Sequence, residues 1–104
     1  MRTLKFIVNG QKIKKDNETD FSGIVKGSKG YLQCHFALSQ EWAGCKVAAS
    51  FWRYDKEIDA RLLKNGYCEI PDTVTEYKSF SVSLIGVRPG FQITTDKYTI
   101  KQEE

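Results

Sequence analysis

Hydrophobic and polar residues alternate along most of this chain, and apolar positions at helical spacing are almost absent. Successive side chains of a strand point to opposite faces, so alternation is the mark of a half-buried strand. Leu4, Phe6 and Val8 form one such face over residues 3–8, followed by Asn9-Gly10. That dipeptide predicts a two-residue hairpin turn with positive φ at both positions. The return strand, residues 11–15, is short and basic and suits a sheet edge, where lysines discourage edge-to-edge aggregation. Residues 16–20 are polar and read as a loop.

The richest stretch lies in the middle. Leu32, Cys34 and Phe36 share a face over residues 31–37, and Cys45, Val47, Ala49 and Phe51 share one over residues 45–53. Between these strands, Trp42 can anchor the loop against the core while Gly44 permits the turn. Residues 21–26 predict a further short strand closed by a turn at Gly27-Ser28-Lys29-Gly30. Tyr54-Asp55-Lys56 turns into a strand over 57–63, and Asn65-Gly66 supplies a second hairpin turn into 67–70. Pro71 ends that strand, because it cannot donate to a ladder. Asp72 then reads as an N-cap for one short helical turn near 72–77, with Val74 inward. Phe80, Val82 and Leu84 face one way over residues 80–87, with Ser81 and Ser83 opposite; residues 91–95 and 98–101 complete the series. About eight or nine short strands with closely spaced turns predict an all-β fold. The expected form is an antiparallel, immunoglobulin-like β-sandwich or a small barrel, a single domain over residues 1–104 with a polar tail at 101–104.

Composition adds bounds. A chain of 104 residues supports one core, and 40% hydrophobic with 28% charged residues is ordinary for a globular domain. The net charge of +3 is mild. The one basic cluster, Lys12, Lys14 and Lys15, adjoins Asp16, Glu18 and Asp20, so a specific nucleic-acid footprint is not expected. Three widely spaced cysteines suit neither a disulfide framework nor a zinc site. They read as buried reduced thiols, with a Cys34–Cys45 disulfide left open should their strands pair in register. The N-terminus lacks the apolar core of a signal peptide, and no apolar run reaches membrane-spanning length. A soluble protein starting at Met1 is the expectation.

No catalytic, cofactor or metal constellation emerges. His35 is the only histidine; it lies opposite Cys34 and Phe36 on its strand and faces solvent or a neighbouring subunit. Asp55, Glu57 and Asp59 alternate beside Lys56 and Arg61 as a solvated charged edge. The residues that suit an interface are Trp52, Tyr54, Lys12, Lys14, Lys15 and His35. Exposed aromatics on a sandwich can anchor a protein partner or stack on a sugar, while Trp52 can equally serve as ordinary packing.

Several short motifs stand in a fixed order along the chain. They are Asn9-Gly10-Gln11, Gly30-Tyr31-Leu32, Phe36-x-Leu38-Ser39-x-Glu41-Trp42-x-Gly44 and Lys46-x-Ala48-x-x-Phe51. Cys68-x-Ile70-Pro71, Phe80-Ser81-Val82-Ser83-Leu84 with Gly86, and Gly90-Phe91-Gln92-Ile93-Thr94-Thr95 follow. Together, over residues 4–95, these resemble small N-terminal β domains of baseplate, tail-fibre and head-fibre proteins of phages infecting Gram-positive bacteria. The resemblance implies a virion structural or attachment module, made in the host cytoplasm and packed on other virion proteins. It implies no catalytic residues. A homo-oligomer suits such a module, with a trimer favoured for a fibre. Proteins of this kind often add a coiled coil or receptor-binding portion. A sequence ending at residue 104 therefore suggests a decoration protein, an adaptor or an N-terminal domain. Two other readings stay open: a small phage-encoded inhibitor that occludes a host defence protein, and a carbohydrate-binding module using Trp52.

Overall fold

A computed structural model describes residues 1–104. Its strands are β1 (Arg2–Asn9), β2 (Lys12–Lys15), β3 (Leu32–Leu38), β4 (Lys46–Arg53), β5 (Lys56–Leu62), β6 (Tyr67–Glu69), β7 (Ser79–Arg88), β8 (Phe91–Thr94) and β9 (Tyr98–Lys101). A 3-10 turn at Gln40–Trp42 separates β3 from β4, and a single helical turn, α1 (Asp72–Thr75), precedes β7. The strands make two sheets, as a sandwich requires. The first has the order β2-β1-β3-β6; the second runs β5-β4-β7, with β8 and β9 both on the far side of β7. β9 takes the first half of β7 and β8 the second. No helix is long and apolar enough to cross a membrane.

Alternation decides which residues meet between the sheets. Leu4, Phe6 and Val8 of β1, Leu32, Cys34 and Phe36 of β3, and Val47, Ala49 and Phe51 of β4 are all buried. Phe80, Val82 and Leu84 of β7 lie beside those of β4 and with them face β1 and β3, and Ile100 of β9 joins the same cluster. Phe6 sits near its centre, stacked on Phe36 with ring centroids 5.0 Å apart and edge-on to Phe21 at 5.2 Å and Tyr98 at 5.3 Å.

Pairing departs from the antiparallel expectation in one place. β1 and β3 run parallel, Arg2 opposite Leu32 through Val8 opposite Leu38, while every other strand pair is antiparallel. The connection over residues 16–31 makes this possible, since a parallel pair needs a crossover longer than a tight turn. Within that connection, residues 21–26 do not form the predicted strand. Only Val25 makes an isolated bridge, to Glu103, while Ile24 is buried. That bridge also fixes the C-terminal tail: Glu103 N–H donates to Ile24 O at 2.6 Å, and Gln102 Nε2 donates to Thr75 O and Tyr77 O at 3.0 and 2.7 Å. The polar tail is thus part of the fold.

Turn chemistry follows the glycines, with one shift. Asn9 pairs with Lys12, so the two-residue turn is Gly10-Gln11, with positive φ at Gly10 alone. Glycine at the first central position with an ordinary second residue is the arrangement of a type II′ turn, not the predicted Asn-Gly type I′. Asn65 and Gly66 do both take positive φ, 54° and 83°, but they join β5 to β6 across the two sheets. α1 begins one residue earlier than expected; Pro71 is the cap, Asp72 lies inside the first turn, and Val74 is buried.

β2 is an edge strand, as its lysines suggested, yet it is stitched to the other sheet. Ile13 N–H donates to Asp96 Oδ1 and Asp96 N–H to Gln11 O, both at 2.9 Å. At one end of the sandwich, Trp42 fills the space between the sheets and donates from Nε1 to Gly10 O at 2.9 Å. A Cβ on Gly86 of β7 would lie 2.8 and 2.9 Å from the Trp42 ring carbons Cε3 and Cζ3. Gly86→Ala should therefore destabilise by about 1–3 kcal/mol, the usual range for overpacking, seen as a lower urea midpoint at unchanged slope.

Candidate functional site

The sequence-predicted residues divide between opposite outer faces. Lys12 and Lys14 of β2 and His35 of β3 lie on the outer face of the first sheet, with Lys5 of β1 opposite His35. His35 packs on Tyr67, its antiparallel partner on β6, with ring centroids 4.5 Å apart. Lys15 does not join them. It stands opposite Phe6, on the other side of β2, and reaches back over the Phe21 ring, 5.8 Å from Nζ to centroid. Cys34 and His35 point to opposite faces, as expected, and the sheet also separates His35 from the inward-facing Cys68.

On the second sheet, Trp52 lies on the outer face and is half-buried. Its Nε1 donates to Ser83 Oγ at 2.9 Å, and Lys97 Nζ stands 3.9 Å from the ring centroid. The lysine covers that face of the ring in a cation–π contact.

Tyr54 stands apart. It is 80% exposed at the tip of the β4–β5 hairpin, where Arg53 pairs with Lys56, and its φ is 55°. A bulky residue in the left-handed region is a strained outlier, and such strain gathers where function requires it. Beside it, the Arg53 guanidinium carbon lies 3.9 Å from the Tyr77 ring centroid and 5.6 Å from that of Tyr54. The Tyr77 hydroxyl raises the Arg53 pKa further, so the guanidinium is firmly charged. Arg53, Tyr54, Asp55, Lys56, Ile58 and Tyr77 enclose an open cleft of about 520 Å³. Sequence reading found Tyr54 but missed Arg53 and Tyr77. A β-bulge between Phe51 and Trp52 aims this end of the hairpin, and no sequence signal marks it.

The acids of β5 do not share one edge face: past the bulge Glu57 lies opposite Trp52, while Asp59 lies opposite Phe51 and is only partly exposed. Burial pushes the Asp59 carboxyl up, but its bonds to Ala60 N–H, Arg61 and Thr73 outweigh this and hold it below the usual range.

The cysteines rearrange more than any other prediction. Cys34 and Cys45 belong to different parts of the sandwich, so strand register does not bring them together. Cys45 precedes β4, half-buried, 3.5 Å from Arg88 Nη1. Cys34 instead sits directly opposite Cys68 across β3 and β6. Both are free thiols facing the core. Burial, then a hydrogen bond with Cys68, push the Cys34 thiol well above its ordinary pKa.

Comparison with protein-family models, curated proteins and solved structures found no match for this chain.

Proposed function

We propose that this protein is a virion structural module of the phage baseplate or fibre type, working as a protein–protein interaction domain that self-associates through the β4–β5 tip. The observation that carries the interaction reading is Tyr54, exposed, held at positive φ, and flanked by Arg53 stacked on Tyr77. Tyrosine and arginine are the residue types that dominate binding energy at protein interfaces, particularly beside a pocket a partner can fill. The virion setting rests on the resemblance of the ordered motifs over residues 4–95 to phage β domains. A closed symmetric assembly, a trimer in a fibre, would repeat the same tip contact in each subunit.

Light scattering over a dilution series tests this, with wild type and Tyr54→Gly side by side. Wild type should reach a trimer or larger closed ring. Tyr54→Gly should associate at least about tenfold more weakly, as removal of a hot-spot side chain does. The variant should also be as thermally stable as wild type or more so, because glycine adopts positive φ without strain. A strict monomer at every concentration would overturn the self-associating reading and favour action on a foreign protein.

A further inference from the structure

We propose that Cys34 and Cys68 are a disulfide-forming pair, oxidised by a small disulfide of the glutathione type that enters through the cleft at the β5–β6 edge. The register carries the pairing. Phe36 N–H donates to Gly66 O at 2.9 Å and Ile70 N–H to Leu32 O at 3.0 Å. Pairs two residues apart in an antiparallel ladder share the same type, so Cys34 and Cys68, midway between those two, are a hydrogen-bonded pair. Their Cα atoms are then separated by about 5.5 Å, inside the span of roughly 4.4–6.8 Å that disulfides bridge. The Cβ atoms of such a pair stand nearer about 5.5 Å than the roughly 3.5–4.5 Å of a closed bond, so oxidation draws the short strand β6 toward β3. Both side chains leave the sheet on the inner face, so the bond forms by a local approach of the two strands with no change of register.

Access is asymmetric. Cys34 is fully buried, whereas Cys68 is 8% exposed and lines an open cleft of about 500 Å³. Arg61, Lys64 and Glu69 line the same cleft, Arg61 also holding Asp59 at 3.1 Å, and Asn65 and Gln33 add polar groups. Charges of both signs at the mouth suit the carboxylates and ammonium groups of a glutathione-type disulfide, and Cys68 at its wall is the thiol such a molecule meets first.

The chemistry balances as ordinary exchange. The Cys68 thiolate attacks one sulfur of the small disulfide, forms a mixed disulfide and releases one small thiolate. The Cys34 thiolate then attacks Cys68 Sγ, forms the internal bond and releases the second small thiolate. The two protons given up by the protein end on the two small thiols. Two protein thiols are oxidised by two electrons, and the small disulfide is reduced. Because burial keeps Cys34 protonated, the second step should be slow and should quicken at alkaline pH. The bond would tie the three-residue edge strand β6 to β3 and close a loop containing the whole β4–β5 hairpin.

The test incubates the full native chain with oxidised glutathione and follows intact mass, a non-reducing peptide map and thermal unfolding. Wild type and Cys45→Ser should lose two hydrogen masses, yield a linked pair of peptides containing Cys34 and Cys68, and gain roughly 10 °C or more in Tm, reversed by dithiothreitol. Cys34→Ala should stop at one stable glutathione adduct on Cys68, and Cys68→Ala should stay unmodified at Cys34. Wild-type protein that loses no hydrogens, or whose map links Cys45, would overturn the pairing even if the alanine variants failed to fold. A folded Cys34→Ala protein without the adduct would overturn the entry route.

Discussion

Trp42→Ala should lower stability by about 3–5 kcal/mol, measured as the change in unfolding free energy from urea titration. A loss of that size is a large share of the total stability of a domain this small. Trp42 is almost wholly buried although it sits on a 3-10 turn outside both sheets. Its ring lies against Gly86 of the second sheet, and its Nε1–H reaches the Gly10 carbonyl in the hairpin of the first. Truncation therefore leaves a cavity and removes a link between the two layers. Trp42→Phe should cost less, about 1–3 kcal/mol, because the bicyclic ring shrinks and the Gly10 carbonyl loses its donor while most packing survives. The pair with Gly86 makes the reading specific. The ring that a Cβ at Gly86 would strike is absent in Trp42→Ala, so most of the penalty of Gly86→Ala should go in that background. The tight approach to Cys45 Cβ at 3.2 Å remains, giving a coupling of about 1–2 kcal/mol. Additive losses in the double-mutant cycle would mean that the two residues act separately.

The tryptophan turn was legible because an isolated large apolar residue between two alternating strands has few places to go other than the core. The faces of β1, β3, β4 and β7 were legible for the same reason: a strand period of two assigns each side chain to a face whatever the neighbouring strand does. That same indifference hid the parallel pairing of β1 with β3. Leu4 and Phe6 face inward equally well in a parallel or an antiparallel ladder, and only the path of residues 16–31 decides between them. The Asn65-Gly66 turn illustrates a related limit. Its dipeptide correctly announces two positive φ values, but turn geometry does not say whether the strands that follow stay in one sheet. At Asn9-Gly10 the turn moved by one residue because β1 keeps Asn9 in its ladder opposite Lys12.

The candidate sites were less legible because they depend on strand order. Cys34 and Cys45 share a local pattern in sequence, yet the chain crosses between layers at Trp42 and leaves Cys34 beside Cys68. Lys12, Lys14 and His35 do share a face, which their alternation allows; Lys15 leaves it by the same rule, one position along β2. Tyr54 was visible as an exposed aromatic in a turn, but its positive φ was not, since Tyr54-Asp55 carries no glycine to announce it. Tyr77 reaches Arg53 only because α1 sets the chain between β6 and β7 against the β4–β5 hairpin.

Phe6→Ala should cost a further distinct 3–5 kcal/mol or so, and in a manner that separates the two layers of this fold. Phe6 belongs to β1, but its ring contacts extend beyond its own sheet. It stacks on Phe36 of the parallel neighbour at an interplanar angle of 17°, meets Phe21 of the long connection at 83°, and meets Tyr98 of β9 in the second sheet at 77°. Edge-on and offset pairs of this kind each add about 0.5–1.5 kcal/mol beyond burial, though not additively in one cluster. Deleting the shared ring therefore weakens the parallel pair, the docking of residues 16–31 and the contact between sheets at once. Phe21→Ala, at a half-buried ring that touches Phe6 and shares only Tyr98 with it, should cost only about 1–2 kcal/mol. Hydrogen exchange gives the sharper check. In Phe6→Ala, protection should fall together in β1, β3 and β9, because one ring holds all three; in Phe21→Ala it should fall chiefly in the connection. Equal losses from the two substitutions would show that the aromatic cluster, and not Phe6 as its centre, carries the contact between the layers.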